Sequence, residues 1–305
     1  MQIFAGLLLA FGPGIIWMWF IYRWDRYQPE PRGLVVRTFL LGVALAIPVV
    51  VAEFMLTLPS FLSGGLASLG DLANLSLGGK AYQAFIVAGV TEEIGKFLVV
   101  RITVYRNRHF DEPIDGVVYS SAAALGFASA ENIGYLIGFG WEVLLLRGFI
   151  SMLGHILFSM MWGYPLALRK IRGPALTGLV WLGLGAGVAS HGLYDFLLFT
   201  QSWFALLVIP AFMGLVVLLV AIVRHARRIS PFRAGLTGAP VDCSNCSALV
   251  PADARFCPSC GQALASAEHR LAATFCSNCG APLQPGASFC TVCGRRLEET
   301  SVEST

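Results

Sequence analysis

Seven stretches of about twenty predominantly apolar residues dominate the first 228 positions of this chain, at roughly 2–22, 34–58, 83–105, 116–139, 143–168, 174–199 and 203–223. A segment of that length crosses the hydrocarbon core of a bilayer as an α-helix, because lipid offers the backbone no hydrogen-bond partner and the helix satisfies its own. Composition agrees: 56% of the 305 residues are hydrophobic and 13% are charged, whereas a soluble domain carries about 25% charged residues. One water-soluble core cannot hide so much apolar surface, which excludes a soluble enzyme and a disordered chain. The expected fold class is an all-α polytopic membrane protein of about seven transmembrane helices. The first stretch has neither a basic n-region nor a small-residue cleavage site and reads as a retained span. Pro48 and Pro210 are expected to kink the second and seventh spans. Gly183, Gly185, Gly187 and Ser190 line the sixth with small residues, which favours tight helix packing.

Basic residues set the orientation. One set of loops holds Arg23, Arg26 and Arg32, then Arg101, Arg106 and Arg108, then Arg169, Lys170 and Arg172, then Arg224, Arg227 and Arg228. The opposite set holds Lys80 and Arg147. The alternation is unbroken, so the chain is expected in the cell (inner) membrane with its N-terminus outside and its C-terminal tail in the cytoplasm.

All eight cysteines lie in that tail. After a linker at 229–240, Cys243, Cys246, Cys257 and Cys260 recur as Cys276, Cys279, Cys290 and Cys293, each set spaced C-x2-C-x10-C-x2-C. Two residues between thiolates let one tight turn present both sulfurs to a tetrahedral ion, and two such turns close a four-thiolate site. Two structural zinc ions are expected, in ribbons at 241–264 and 274–297 followed by a flexible 298–305. A disulfide framework is the rival, and a reducing cytoplasm disfavours it. From 229 onward five arginines face six acidic residues, so no basic stripe argues for a nucleic-acid partner. Docking of a cytoplasmic protein partner is the expected role of the ribbons.

A few ionisable residues stay inside the apolar body 1–228, where each costs about 2.5–3.5 kcal/mol. Glu92, Glu93 and Lys96 lie in the third span, Glu131 and Asn132 in the fourth, His155 in the fifth, His191 and Asp195 in the sixth. At 1.5 Å per residue they share a level roughly 12–18 Å below the outer surface. Helical spacing brings Lys96 to either glutamate and Asp195 to the face of His191. Arg147 stands near the outer mouth, within reach of an interfacial carboxylate, and Glu53 reads as interfacial. A buried glutamate can act as general base for a water while histidines polarise a carbonyl, which suits amide hydrolysis. The same groups could instead ligate a catalytic metal. A glutamate–lysine ion pair of purely structural role, an ion-binding sensor or scaffold, and a proton-coupled transporter are the competing explanations.

Four patterns occur in order: Glu92-Glu93-Ile94-Gly95-Lys96 as E-E-x-x-K, Phe127 through Glu131-Asn132 as F-x-x-x-E-N, Arg147 to His155 as R-x7-H, and His191 to Asp195 as H-x3-D. Together they resemble the PrsW family of intramembrane proteases, distant relatives of the CAAX prenyl endopeptidases. The resemblance covers most of 1–228 and not the ribbons. It implies a multi-span protease whose glutamates and histidines are catalytic. The implied substrate is membrane-anchored, in the best-known branch an anti-sigma factor cut on its outer side. On this reading Glu92 or Glu93 is the water-activating base and Glu131 its partner acid or a metal ligand. His155 and His191 polarise the carbonyl or bind a metal, Asp195 orients His191, Asn132 donates to an oxyanion, and Lys96 and Arg147 support the carboxylates.

Overall fold

The computed structural model describes residues 2–62, 74–232, 241–250, 257 and 259–262. Among them, seven long helices follow in order. They are α1 (Gln2–Tyr22), α2 (Arg32–Leu62), α3 (continuous through Leu77–Ala81, Tyr82–Val90 and Thr91–Thr103), α4 (Asp115–Phe139), α5 (Trp141–Arg172), α6 (Thr177–Phe199) and α7 (Val208–Arg228). Short 3-10 turns, Pro174–Leu176 and Trp203–Leu207, lead into α6 and α7. Among the described residues, five helical stretches are long and apolar enough to cross a membrane: Ala5–Tyr22, Arg32–Pro59, Arg147–Arg172, Pro174–Phe199 and Trp203–Arg228.

The other two helices, α3 and α4, carry much of the internal polarity, and their position explains how. α4 packs against α1, α2, α3 and α5 and is buried at nearly every position from Asp115 to Ser129. A helix wrapped by protein does not need an apolar surface toward lipid. The outward faces show the reverse: Ile47, Ile102 and Val217 are 74%, 77% and 69% exposed, while Glu93 and Lys96 are fully buried. Apolar outside and charged inside is the arrangement lipid selects.

Glycines set how closely the helices meet. A Cβ on Gly126 would stand 2.0 Å from the Phe39 carbonyl oxygen, and one on Gly42 would stand 2.2 Å from that of Ala123, so α2 and α4 touch backbone to backbone. Gly183 and Gly187 meet the Met161 and Phe158 carbonyls of α5, while Gly185 meets nothing within 4 Å. The small-residue surface of α6 is therefore a packing surface at two of its three glycines. Pro48 lies inside α2 as expected. Pro210, expected to kink the seventh span, instead falls in the first turn of α7, where its missing N–H has no helical partner to lose.

The chain divides into two units, Met1–Arg233 and Ala234–Thr305. In the second, β1 (Val241–Asp242) pairs antiparallel with β2 (Leu249–Val250), Val241 opposite Val250 and Asp242 opposite Leu249. Cys276, Cys279, Cys290 and Cys293, with the ribbon expected at 274–297 and the tail at 298–305, lie outside the described residues.

Candidate active site

The acidic pair sits where the backbone changes helix type. From Tyr82 to Val90 α3 is a π-helix, and it returns to α-helix at Thr91. Such π segments are frequent at functional sites. A Cβ on Gly192 would lie 2.3 Å from the Phe85 ring, and one on Gly89 would lie 3.0 Å from the Val188 carbonyl oxygen. These two glycines let α3 and α6 approach, and the approach delivers Glu92 and Glu93 to His191.

Four helices then converge. Lys96 Nζ of α3 is 3.0 Å from Glu92 Oε2, 2.9 Å from Glu93 Oε1 and 2.9 Å from His155 Nδ1 of α5. It also lies 4.7 Å from the ring centroid of Phe127 on α4. An ammonium has three donors and no acceptor, so His155 Nδ1 must accept. The imidazole proton then belongs on Nε2, which stands 3.1 Å from Glu131 Oε2. Arg147 holds Glu131 from the other side, NH2 to Oε1 at 2.5 Å, with its guanidinium 3.5 Å from the centroid of the Tyr135 ring.

Glu92 and Glu93 differ sharply. Glu93 is buried with both oxygens occupied: Oε1 accepts from Lys96 and lies 3.1 Å from His191 Nδ1, and Oε2 accepts from Ser159 Oγ and Trp162 Nε1, each at 2.9 Å. Glu92 binds through Oε2 alone, to Lys96, and lies 3.7 Å from His191 Nε2 and 3.8 Å from His155 Nδ1. Among the described residues no hydrogen bond reaches Glu92 Oε1.

His191 is pinned by three neighbours. Glu93 takes Nδ1, Asp195 Oδ2 lies 3.5 Å from Nε2, and the Phe158 ring stacks on the imidazole at 4.8 Å between centroids. Asp195 thus meets the nitrogen that faces Glu92, while Glu93 meets the other. The Asn132 amide accepts from Arg147 Nε at 3.3 Å and donates toward the Ala10 carbonyl at 3.5 Å, which spends it on α5 and α1.

Ser159 and Trp162, which satisfy Glu93, were not singled out in the sequence, although they lie four and seven residues after His155 on its helical face. Glu53, read as interfacial, has its Oε1 3.5 Å from the Oγ1 of Thr91, the residue before Glu92.

Glu92, His155 and His191 each offer one ligand atom, all buried and within 4.8 Å of one another. Two imidazoles and a carboxylate are a donor set that catalytic zinc uses, so the residues fit such an ion chemically once Lys96 Nζ releases the His155 Nδ1 lone pair it takes here. The first ribbon fits a structural zinc more closely. Cys243, Cys246, Cys257 and Cys260 present their sulfurs within 4.8 Å of one another. Cys243 Sγ is 3.7 Å from Cys260 Sγ, and Cys246 Sγ is 3.6 Å from Cys257 Sγ. The edge of a tetrahedron with Zn–S bonds near 2.3 Å is about 3.8 Å. Ser247 and Gly261, both at positive φ, donate back to the Cys243 and Cys257 carbonyls and close the two turns.

A profile described as PrsW family intramembrane metalloprotease matches residues 30–224, and one described as double zinc ribbon matches 243–294. Protease PrsW of Bacillus subtilis is 36% identical over 202 residues, 65% of this chain and 85% of that protein. Protease PrsW of Geobacillus kaustophilus is 33% identical over 199 residues, 65% of this chain and 82% of the relative. Protease PrsW of Halalkalibacterium halodurans is 32% identical over 210 residues, 69% and 91%. No solved structure matches the chain. With its family profile spanning the membrane body and the ribbon profile following it, the chain belongs to the PrsW family of intramembrane proteases, as a multi-pass member with a double zinc ribbon.

Proposed function

We propose that this protease hydrolyses a peptide bond of a membrane-anchored substrate with Glu92 as the base that activates water. The observation that carries the assignment is the contrast within the acidic pair: Glu93 has four partners, while Glu92 keeps Oε1 free of any hydrogen bond from the described residues. A water on Oε1 loses its proton to the carboxylate as its oxygen bonds the scissile carbonyl carbon. Collapse of the tetrahedral intermediate breaks the C–N bond, and the proton passes to the leaving amine. His191, aimed by Glu93 and stacked on Phe158, donates from Nε2 to the developing oxyanion. Glu131, clamped by Arg147, fixes the orientation of His155. Asn132 joins α1 to Arg147 and is assigned no oxyanion role. In the other arrangement, with Lys96 turned away from His155 Nδ1 and His191 Nε2 unprotonated, Glu92, His155 and His191 would hold a catalytic metal, which would supply a more acidic water and a Lewis acid.

The proposed substrate class is a single-span protein with an extracytoplasmic portion, such as an anti-sigma factor. The proposed orientation, supported by the loop charges, puts the site on the outer half of the membrane and the ribbons inside, where they dock a cytoplasmic partner. Comparing membrane proteomes of cells carrying wild type and Glu92→Gln tests the reaction. One substrate should lose its cut form in the variant. Equal processing by both proteins overturns the assignment.

A further inference from the structure

A second buried polar cluster lies outside the site described above. It is built from the connection between α1 and α2, the connection into α4, and the first turns of α4. Asp25, Glu30, Glu112 and Asp115 are 3%, 2%, 1% and 0% exposed, and Asp111 adjoins them half-buried. The charges interact across the group: Glu112 with Asp25 and Asp111, Glu30 with Asp25 and Asp111, Asp115 with Glu30, Asp111 and Glu112.

Backbone and one hydroxyl satisfy part of this cluster and staple the two connections to it. Glu30 N donates to Asp25 Oδ2 at 3.0 Å, and Tyr119 donates to Glu30 Oε2 at 2.5 Å. Asp111 N and Glu112 N both donate to Asp115 Oδ2, at 2.8 and 2.6 Å. Asp25 Oδ1, Asp115 Oδ1 and both oxygens of Glu112 are buried without a hydrogen-bond partner. The Ser230 hydroxyl faces Glu112 but does not reach hydrogen-bond geometry. Arg227 and Lys170 flank the group and bind backbone instead: Arg227 the Trp24 carbonyl at 2.9 and 2.7 Å, Lys170 the Asn107 carbonyl at 2.5 Å. Among the described residues no ion pair within 4.0 Å involves any of the five carboxyls. Nor does any hydrogen bond there join them to the basic residues of the two connections (Arg23, Arg26, Arg106, Arg108 and His109) or to Tyr27 and Tyr105.

A carboxylate buried without a partner is costly, the neutral acid is far less so, and burial therefore favours the proton. Burial pushes the Asp25 and Asp111 carboxyls up to about 6, those of Glu30 and Glu112 up to about 8, and that of Asp115 well above the usual carboxylate range. We propose that the five carboxyls form a proton-held latch: protonated, they let both connections close on the start of α4, and their ionisation opens the connections to water. In the open state each carboxyl returns to its ordinary value near 4, so opening releases protons. The latch is therefore held most firmly below about pH 4, loosens as pH rises to about 8, and loosens no further above that. Each carboxyl that keeps a proton when closed and loses it when open multiplies the opening constant by about ten per pH unit. Glu30 and Glu112 both keep theirs through neutral pH, so the opening constant should climb about a hundredfold per unit between about pH 6 and 7.5. The latch is independent of which glutamate activates water in the membrane site.

The test uses the full-length protein in nanodiscs. Backbone hydrogen exchange is followed by mass spectrometry between about pH 6 and 9, in the regime where it reports the opening equilibrium, and is corrected for the intrinsic pH dependence of exchange. The amides of Glu30, Asp111 and Glu112 should lose protection about a hundredfold per pH unit, level off above about pH 8 and recover when the pH is returned to 6. The interior of α4, from Val117 to Leu125, should stay protected. Glu30→Gln and Glu112→Gln imitate the protonated side chains, so each should reduce the slope to about tenfold per unit. If Glu112→Gln does not fold, Glu30→Gln and the wild-type profile carry the test. Glu92→Gln should leave the profile unchanged. Protection independent of pH overturns the proposal, as does a loss that spreads through α4 at the same pH or a profile altered by Glu92→Gln. A wild-type slope retained by both loop variants would assign the titration to His109 or Lys170 and would equally overturn it.

Discussion

The two buried carboxylate clusters solve the same electrostatic problem in opposite ways. At the membrane site the chain supplies its own cations: Lys96 lies between Glu92 and Glu93, and Arg147 grips Glu131. At the loop cluster Asp25, Glu112 and Asp115 keep orphaned oxygens, and the neighbouring Arg227 and Lys170 bind carbonyls. In the first, Glu131 Oε2 also lacks hydrogen-bond geometry, but each carboxylate has a cation beside it and one oxygen of the acidic pair is left for chemistry. Buried charge is costly in both: built-in cations compensate the first, whereas in the second burial pushes the Glu30 and Glu112 carboxyls up to about 8, so protons neutralise them.

The sharpest way to break this contrast is to remove charge at the membrane site. Glu92→Gln keeps an oxygen for Lys96 and removes only the base, so proteolysis should fall by about 10²–10⁴ while the melting temperature stays near wild type. Glu93→Gln turns an amide N–H2 toward Lys96 or toward the Ser159 and Trp162 donors, so it should lower activity and stability together. Parallel melting curves and cleavage of a reporter substrate separate the two. Equal loss of stability in both variants would refute the distinction between a free and a locked glutamate.

Removing the cation should be nearly as damaging. Lys96→Met leaves two adjacent buried carboxylates without their common partner, a change expected to cost about 3–5 kcal/mol, read by denaturation in detergent. Neutralising a carboxylate of the loop cluster should act with the opposite sign. Burial pushes the Glu112 carboxyl up to about 8, so above pH 8, where it ionises, Glu112→Gln removes an unpaired buried charge and should raise the melting temperature. The same sign of effect in Lys96→Met and Glu112→Gln would erase the comparison.

The sequence made one of these clusters legible and hid the other. Glu92, Lys96, His155 and His191 stand out because any ionisable group within an apolar span demands an explanation, and helical rise alone puts them at one level. Which histidine nitrogen faces which carboxylate depends on rotamers and helix rotation. The sequence is therefore silent on Glu93, rather than Asp195, lying against His191 Nδ1. The contact of Glu53 with Thr91 depends on how α2 and α3 pack, which hydropathy does not encode. Asp25, Glu30, Glu112 and Asp115 look like ordinary charges of short polar connections. Only the folding of both connections against α4 buries them, and no local pattern announces that.

The smallest expected effects come from removing one hydroxyl from each cluster. Ser159→Ala takes a donor from Glu93 Oε2 and leaves Trp162 as its partner there. A hydrogen bond to a charged group contributes about 1.5–3 kcal/mol, and because Glu93 also holds His191, cleavage should slow as stability falls. Tyr119→Phe takes the donor from Glu30 Oε2, far along α4 from Glu131, and should cost about 1 kcal/mol of stability with kcat unchanged. Measuring kcat beside stability is decisive, because a purely structural account predicts equal behaviour of the two variants. A loss of kcat in Tyr119→Phe comparable to that in Ser159→Ala would mean that the loop cluster is coupled to the chemistry and that the two networks work as one.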